Sequence, residues 1–324
     1  MRQHSHEEMD ISMANLLLSF NVVAPLTVYM AAGLLLRRIG MVSEKTFTQL
    51  SRIVFSVCVP ALCCDNLRVI DLKEAFTNAT ALCMAAALVI VFLLAWLIVP
   101  RFCHIPSRRS VLIHGVFRSN DGIFGLAVAA SLLGETNTSL MIICVAVTIP
   151  LFNLLSVTVM EYYRGGKPNI GRVLLKVLLN PIIIGCTAGA LLSLFRVPLP
   201  LFLAKPLTTL GAASAPLGFI ALGGALSFRS LSENRLAIGT ISLFRLVIVP
   251  AAVLLSMILM GIRGDALLVG AVIFGAPTAM AVYPMACGMG GDEQLAGGII
   301  AVTSILSLVT MLGIIFVLKQ TGVA

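Results

Sequence analysis

Apolar residues run along this chain in blocks of about twenty, separated by short stretches of polar and basic residues. A hydrocarbon core about 30 Å thick takes about twenty apolar residues of helix to cross, so each block predicts one membrane-spanning helix. Ten fit the chain: residues 14–36, 46–65, 77–99, 110–133, 139–161, 172–194, 203–227, 236–260, 266–287 and 295–318. Little chain remains for a soluble domain, and an all-α integral membrane protein is expected. Two blocks are interrupted near their centres. Arg118-Ser119-Asn120-Asp121-Gly122 breaks the fourth, and Gly275-Ala276-Pro277-Thr278 breaks the ninth.

The punctuation repeats. Pro25 and Pro181, Gly33 and Gly189, Pro60 and Pro216, and Gly134 and Gly290 are all 156 residues apart, and residues 120 and 276 in the two breaks obey the same offset. Five spans per copy is an odd number, so consecutive copies must enter the bilayer facing opposite ways. The chain therefore divides into a first inverted repeat, residues 1–163, and a second, residues 164–324, with the Arg164 to Arg172 loop as the joint. Interrupted spans at matching places in two halves point to the binding site of a transporter.

Composition agrees: 59% of residues are hydrophobic and 11% charged, far below the roughly one quarter charged of soluble proteins. The net charge of +8 suggests orientation rather than nucleic-acid binding, because the basic residues lie in the short loops. Eleven, among them Arg37, Arg38, Arg108, Arg109, Arg164 and Arg235, fall on one side of the ten-span arrangement and seven on the other. The positive-inside rule then puts both termini outside the cytoplasm, in a multi-pass protein of the cytoplasmic membrane. The leader Met1 to Asp10 is polar and acidic and lacks the pattern of a cleaved signal, so the first span is expected to be retained. The eight cysteines lie mostly within spans and read as packing residues.

Candidate chemistry concentrates at the breaks. An ionised side chain at a helix centre costs about 2.5 to 3.5 kcal/mol to insert, so Arg118 and Asp121 are expected to face protein or water. Arg245, ten residues into the eighth span from Arg235, lies at similar depth. Two cations and one carboxylate leave an excess of positive charge that an anionic substrate would balance, and half-helices beginning at a break offer N–H groups to a carboxylate. The expected substrate site is Arg118, Asn120, Asp121, Gly122, Pro277, Thr278 and Arg245, although the three charged groups could instead form a structural network. Asp121 could also carry a coupling proton or hold Na⁺, and His114 could relay protons. No cofactor or metal is expected. Thr303, Ser307 and Thr310 of the tenth span share a face and read as packing material. Neither a nucleotide-binding G-x-x-x-x-G-K-[ST] nor H-E-x-x-H occurs, and the chain is not expected to be an enzyme.

The run Ser119 to Leu126, the Asn180-Pro181 pair, the run Gly211 to Leu217, and Ala276-Pro277-Thr278-Ala279 followed by Gly290-Gly291-Asp292 resemble the auxin efflux carrier family, which includes bacterial malate-permease-type proteins and the plant auxin exporters. The resemblance covers essentially the whole chain. It implies ten helices in a 5+5 inverted repeat like that of the bile-acid sodium symporters and sodium-proton antiporters, with helices 4 and 9 crossing at the membrane centre. Spans 1, 2, 6 and 7 would form a scaffold, through which a homodimer is expected, and spans 3–5 and 8–10 a moving domain. With the anion read from the charges at the breaks and the moving domain from the resemblance, the expected function is elevator-like transport of a small organic anion. Asp121, where the family usually has a small polar or apolar residue, and Ala127, where it often has proline, depart from the pattern.

Overall fold

A computed structural model describes residues 25, 27–70, 72–164, 170–225 and 228–323. The polar leader, the beginning of the first expected span and residues 165–169 of the joint lie outside the described residues. Apart from one isolated β-bridge, the regular structure described is helical. Helix α1 covers residues 27–38, α2 Lys45–Arg68, α3 Ala79–Phe102, α4 Pro106–Phe117, α5 Leu126–Tyr163 and α6 Pro181–Leu194. Then follow α7 Leu201–Ala225, α8 Arg235–Leu259, α9 Asp265–Gly275, α10 Val282–Met289 and α11 Glu293–Gln320.

Among the described residues, five helices are long and apolar enough to cross a membrane: α2, α3, Ser139–Tyr163 within α5, α7 and α8. Helix α11 adds a sixth if its two parts, which meet at 43°, count as one span. Helices α4 and α9, of 12 and 11 residues, reach only about 18 Å at 1.5 Å per residue, little more than half the hydrocarbon core. Side-chain placement suits lipid: on α3, Ala81, Met84, Leu88, Phe92 and Ala95 are buried, whereas Leu82, Ile90, Leu93, Leu94, Leu97 and Ile98 are exposed.

Local chemistry sets several boundaries. The side chain of Asn78 accepts from the Ala81 N–H at the start of α3, and that of Asn180 accepts from the Ile182 N–H beside Pro181, which itself has no N–H to satisfy. Gly290 ends α10 at φ 79°, a left-handed conformation glycine adopts without Cβ strain, and Asp292 caps α11. Helix α5 shows helical bonding from Leu126 to Tyr163, including residues 134–138, where the sequence suggested a loop. It is nevertheless not a straight rod. Asp121 and Thr148, 27 residues apart, are hydrogen-bonded, although a straight helix would separate them by about 40 Å. A Cβ at Gly125 would also stand 3.0 Å from the Met141 side chain. The chain reverses between Gly125 and Met141.

Helices α1, α2, α6 and α7 touch backbone to backbone. A Cβ at Gly33 on α1 would collide with the Ile220 carbonyl on α7, and one at Gly189 on α6 would stand 2.5 Å from the Cys64 carbonyl on α2. Residues 33 and 189, and residues 64 and 220, are each 156 positions apart. Small residues permit such contacts in lipid, where packing replaces the hydrophobic drive.

Candidate functional site

Helix α4 stops at Phe117 because Arg118 is extended, at φ −75° and ψ 107°, and the chain resumes as a π-helical turn, Asp121–Gly125, leading into α5. Helix α9 stops at Gly275, where Ala276 takes φ −62° and ψ 152°, the extended backbone that a following proline favours. The two unwound segments lie antiparallel, bridged at Ser119 and Thr278. The Asn120 N–H donates to the Pro277 carbonyl at 2.9 Å, and the Ala279 N–H to the Arg118 carbonyl at 3.2 Å. Each break thereby satisfies backbone groups freed by the other, which unwound chain inside a membrane requires. The 156-residue offset makes residues 120 and 276 equivalent positions of the two copies; the contact in space joins 119 and 278.

Arg245 was expected at the substrate. It sits on a π-helical turn of α8, Phe244–Ile248, fully buried, and its donors go to helix ends. Nε donates to the Ala276 carbonyl at 3.0 Å and Nη2 to that of Ile273 at 3.2 Å, while Nη1 reaches those of Val116 and Phe117, both at 3.3 Å. One cation thus clasps the C-terminal ends of α4 and α9. Each helix end carries roughly half a negative charge, so the pair balances Arg245 and removes it from the excess of positive charge expected from sequence. Thr278 also serves the frame: its hydroxyl donates to the Gly115 carbonyl at 3.1 Å, and its N–H to the Thr303 hydroxyl at 3.3 Å. The Ser119 hydroxyl donates to the Ile273 carbonyl at 2.5 Å.

Beside this bridge lies a cavity of about 70 Å³, lined by Arg118, Ser119, Asn120, Asp121 and Gly122 from the first break and Ala279, Met280 and Ala281 from the second. Val59, Leu62, Cys63 and Asn66 of α2, with Ile149 and Asn153 of α5, close it. One water needs about 10–15 Å³, so the space holds several waters or a short carboxylate. The sequence-selected Arg118, Asn120, Asp121 and Gly122 meet here, whereas Pro277, Thr278 and Arg245 stand behind the wall. Arg118 is only 7% exposed. Its Nη2 donates to Asn153 Oδ1 at 2.7 Å, and its guanidinium lies 5.1 Å from the centre of the Phe152 ring. Nε and Nη1 have no hydrogen-bond partner. Asp121 Oδ2 accepts from the Thr148 hydroxyl at 2.6 Å.

Broken apolar helices that meet around buried polar groups mark a path for solutes, and comparison with known proteins agrees. The chain belongs to the membrane transport protein family. The family model matches residues 18–315, in keeping with the motif resemblance to auxin efflux carriers. One relative, an "Uncharacterized transporter" of Methanothermobacter thermautotrophicus, is 24% identical over 295 residues, 90% of this chain and 96% of the relative. Another, a "Putative malonate transporter" of Rhizobium meliloti, is 27% identical over 210 residues, 62% of this chain and 64% of the relative.

His114 of the transporter lies one turn before Arg118, fully buried and stacked on Phe117 with ring centres 5.5 Å apart. Neither ring nitrogen has a partner, and the residue does not line the cavity. Ser307 and Thr310 donate to carbonyls of their own helix. Neither Asn153 nor Thr148 is among the site residues selected from sequence. Asn153 holds Arg118 through its oxygen, while its amide donates to the sulfurs of Cys63 at 3.1 Å and Cys186 at 3.3 Å. A polar amide in an otherwise apolar span was the available signal, but what it touches depends on how α5, α2 and α6 assemble.

Proposed function

We propose that this transporter carries a small organic anion, a carboxylate, through the cavity at the two breaks. The observation that carries this reading is Arg118, a buried guanidinium on the cavity wall with two donor nitrogens unpaired. A buried donor without a partner costs about 1–3 kcal/mol, more when charged, and a carboxylate arriving at Nε and Nη1 would recover that cost. The malonate-transporter relative supports the same substrate class.

The motion is alternating access of the elevator type. Two five-span copies, residues 1–163 and 164–324, form the ten-span inverted repeat, with the broken fourth and ninth spans crossing at the centre. The glycine contacts of α1 with α7 and of α6 with α2, which exchange under the 156-residue offset, support this symmetry. Spans 1, 2, 6 and 7 are the scaffold and the surface for a homodimer. Spans 3–5 and 8–10 move as one body, tied together by Arg245 between α8, α4 and α9. Both termini lie outside, in the cytoplasmic membrane, a reading supported by the distribution of basic residues.

The test is uptake of radiolabelled mono- and dicarboxylates into proteoliposomes, with amino acids and neutral solutes in parallel. In Arg118→Ala, loss of a charge-assisted contact of about 1.5–3 kcal/mol should raise the half-saturating carboxylate concentration about 10- to 100-fold. Transport of neutral or cationic solutes only, unchanged by Arg118→Ala, would refute the anion site.

A further inference from the structure

Two properties of the cavity bear on what travels with the anion. First, its charges cancel before any substrate enters. Arg118 and Asp121 are the lining side chains charged at neutral pH, and Arg245 is neutralised by the helix ends it clasps. A carboxylate seated on Arg118 therefore meets Asp121 with one negative charge in excess, inside a water-poor site. Two carboxylates sharing such a site cannot both stay ionised, and one proton between them relieves the conflict.

Second, eight carbonyls at and beside the two breaks already accept hydrogen bonds from within the protein. The carbonyls of Gly115, Val116, Phe117, Arg118 and Asn120 in the first break accept from Thr278, Arg245, Arg245, Ala279 and Gly125 respectively. In the second break, those of Ile273, Ala276 and Pro277 accept from Ser119 and Arg245, from Arg245, and from Asn120. Unwound carbonyls form the usual Na⁺ sites of broken-helix transporters. Here these eight are bonded within the protein, which favours a proton over Na⁺ as the ion that accompanies the anion.

Resting on the anion reading above, we propose that each carboxylate crosses with one proton held between Asp121 and the substrate. For a short dicarboxylate, one carboxylate sits on Arg118 and the other faces Asp121 across that proton, which lowers the excess at the site from two negative charges to one. The groups facing Asp121 fit this role. Thr148 from α5 fixes Oδ2, Arg118 shares its segment, and Arg245 on α8 has its donors committed to the two helix ends. The proton comes from water on the loading side and is released with the substrate on the other.

The experiment uses the full transporter in liposomes loaded with a pH-sensitive dye, with malonate as probe and protein-free liposomes to subtract direct permeation. Expected are about one proton entering per malonate, faster uptake when the outside is made acidic, and no change when choline replaces Na⁺. In Asp121→Asn the acidification per malonate taken up should fall towards zero. Malonate uptake without proton entry, or uptake that requires Na⁺, would overturn the proposal and leave the anion site standing. Failure of the wild type to bind or carry any carboxylate would overturn both. If Asp121→Asn does not fold, the wild-type proton-to-malonate ratio decides alone.

Discussion

Replacing Arg245 separates a structural clasp from a substrate contact. Arg245→Leu keeps much of the apolar stem but deletes four hydrogen bonds. The Ile273 carbonyl keeps the Ser119 hydroxyl, leaving those of Val116, Phe117 and Ala276 without their acceptor role. At about 1–3 kcal/mol for each orphaned buried group, the gross cost is about 3–9 kcal/mol. Part is offset because the guanidinium need no longer be desolvated, an expense of several kcal/mol. With about 3 kcal/mol of that offset, the net loss centres on about 3 kcal/mol. Arg245→Lys should lose about half as much, because a compact ammonium cannot span both helix ends as a planar fork does. The assay is thermal unfolding of the purified protein in detergent, with carboxylate binding measured on the fraction that remains folded. At about 2–4 °C per kcal/mol, Arg245→Leu should melt on the order of 10 °C below wild type. Arg245→Leu melting with the wild type while losing carboxylate affinity would refute the reasoning and return Arg245 to the substrate.

Other perturbations probe the frame and the wall. Gly33→Val places a side chain against the Ile220 carbonyl and should abolish the monodisperse peak in size-exclusion chromatography; Gly313→Ala, with nothing within 4 Å, should leave it unchanged or stabilise by about 0.5–1 kcal/mol. Asn153→Leu frees Arg118 Nη2 and the two cysteine sulfurs at once, so it should raise the half-saturating carboxylate concentration about tenfold, equal to one lost charge-assisted bond near 1.5 kcal/mol. A wild-type concentration dependence in that variant would show that Arg118 needs no second residue to hold it.

Much of this protein could be read in one dimension because a membrane imposes a one-dimensional rule: a helix must hide its own backbone and present apolar side chains for a set length. That rule fixed the helical class and both interruptions, and the cost of burying Arg118, Asn120 and Asp121 marked the neighbourhood of the cavity. Tertiary structure decided which polar groups face the cavity and which face backbone. Arg118 and Arg245 are equally forbidding to lipid, yet one lines the cavity with two donors unpaired and the other spends its donors on two helix ends. That distinction depends on where carbonyls freed from α4 and α9 fall once Ser119 meets Thr278. Hydropathy records only that a charge is buried; its partners are set by the packing of chain segments 28 to 129 residues apart.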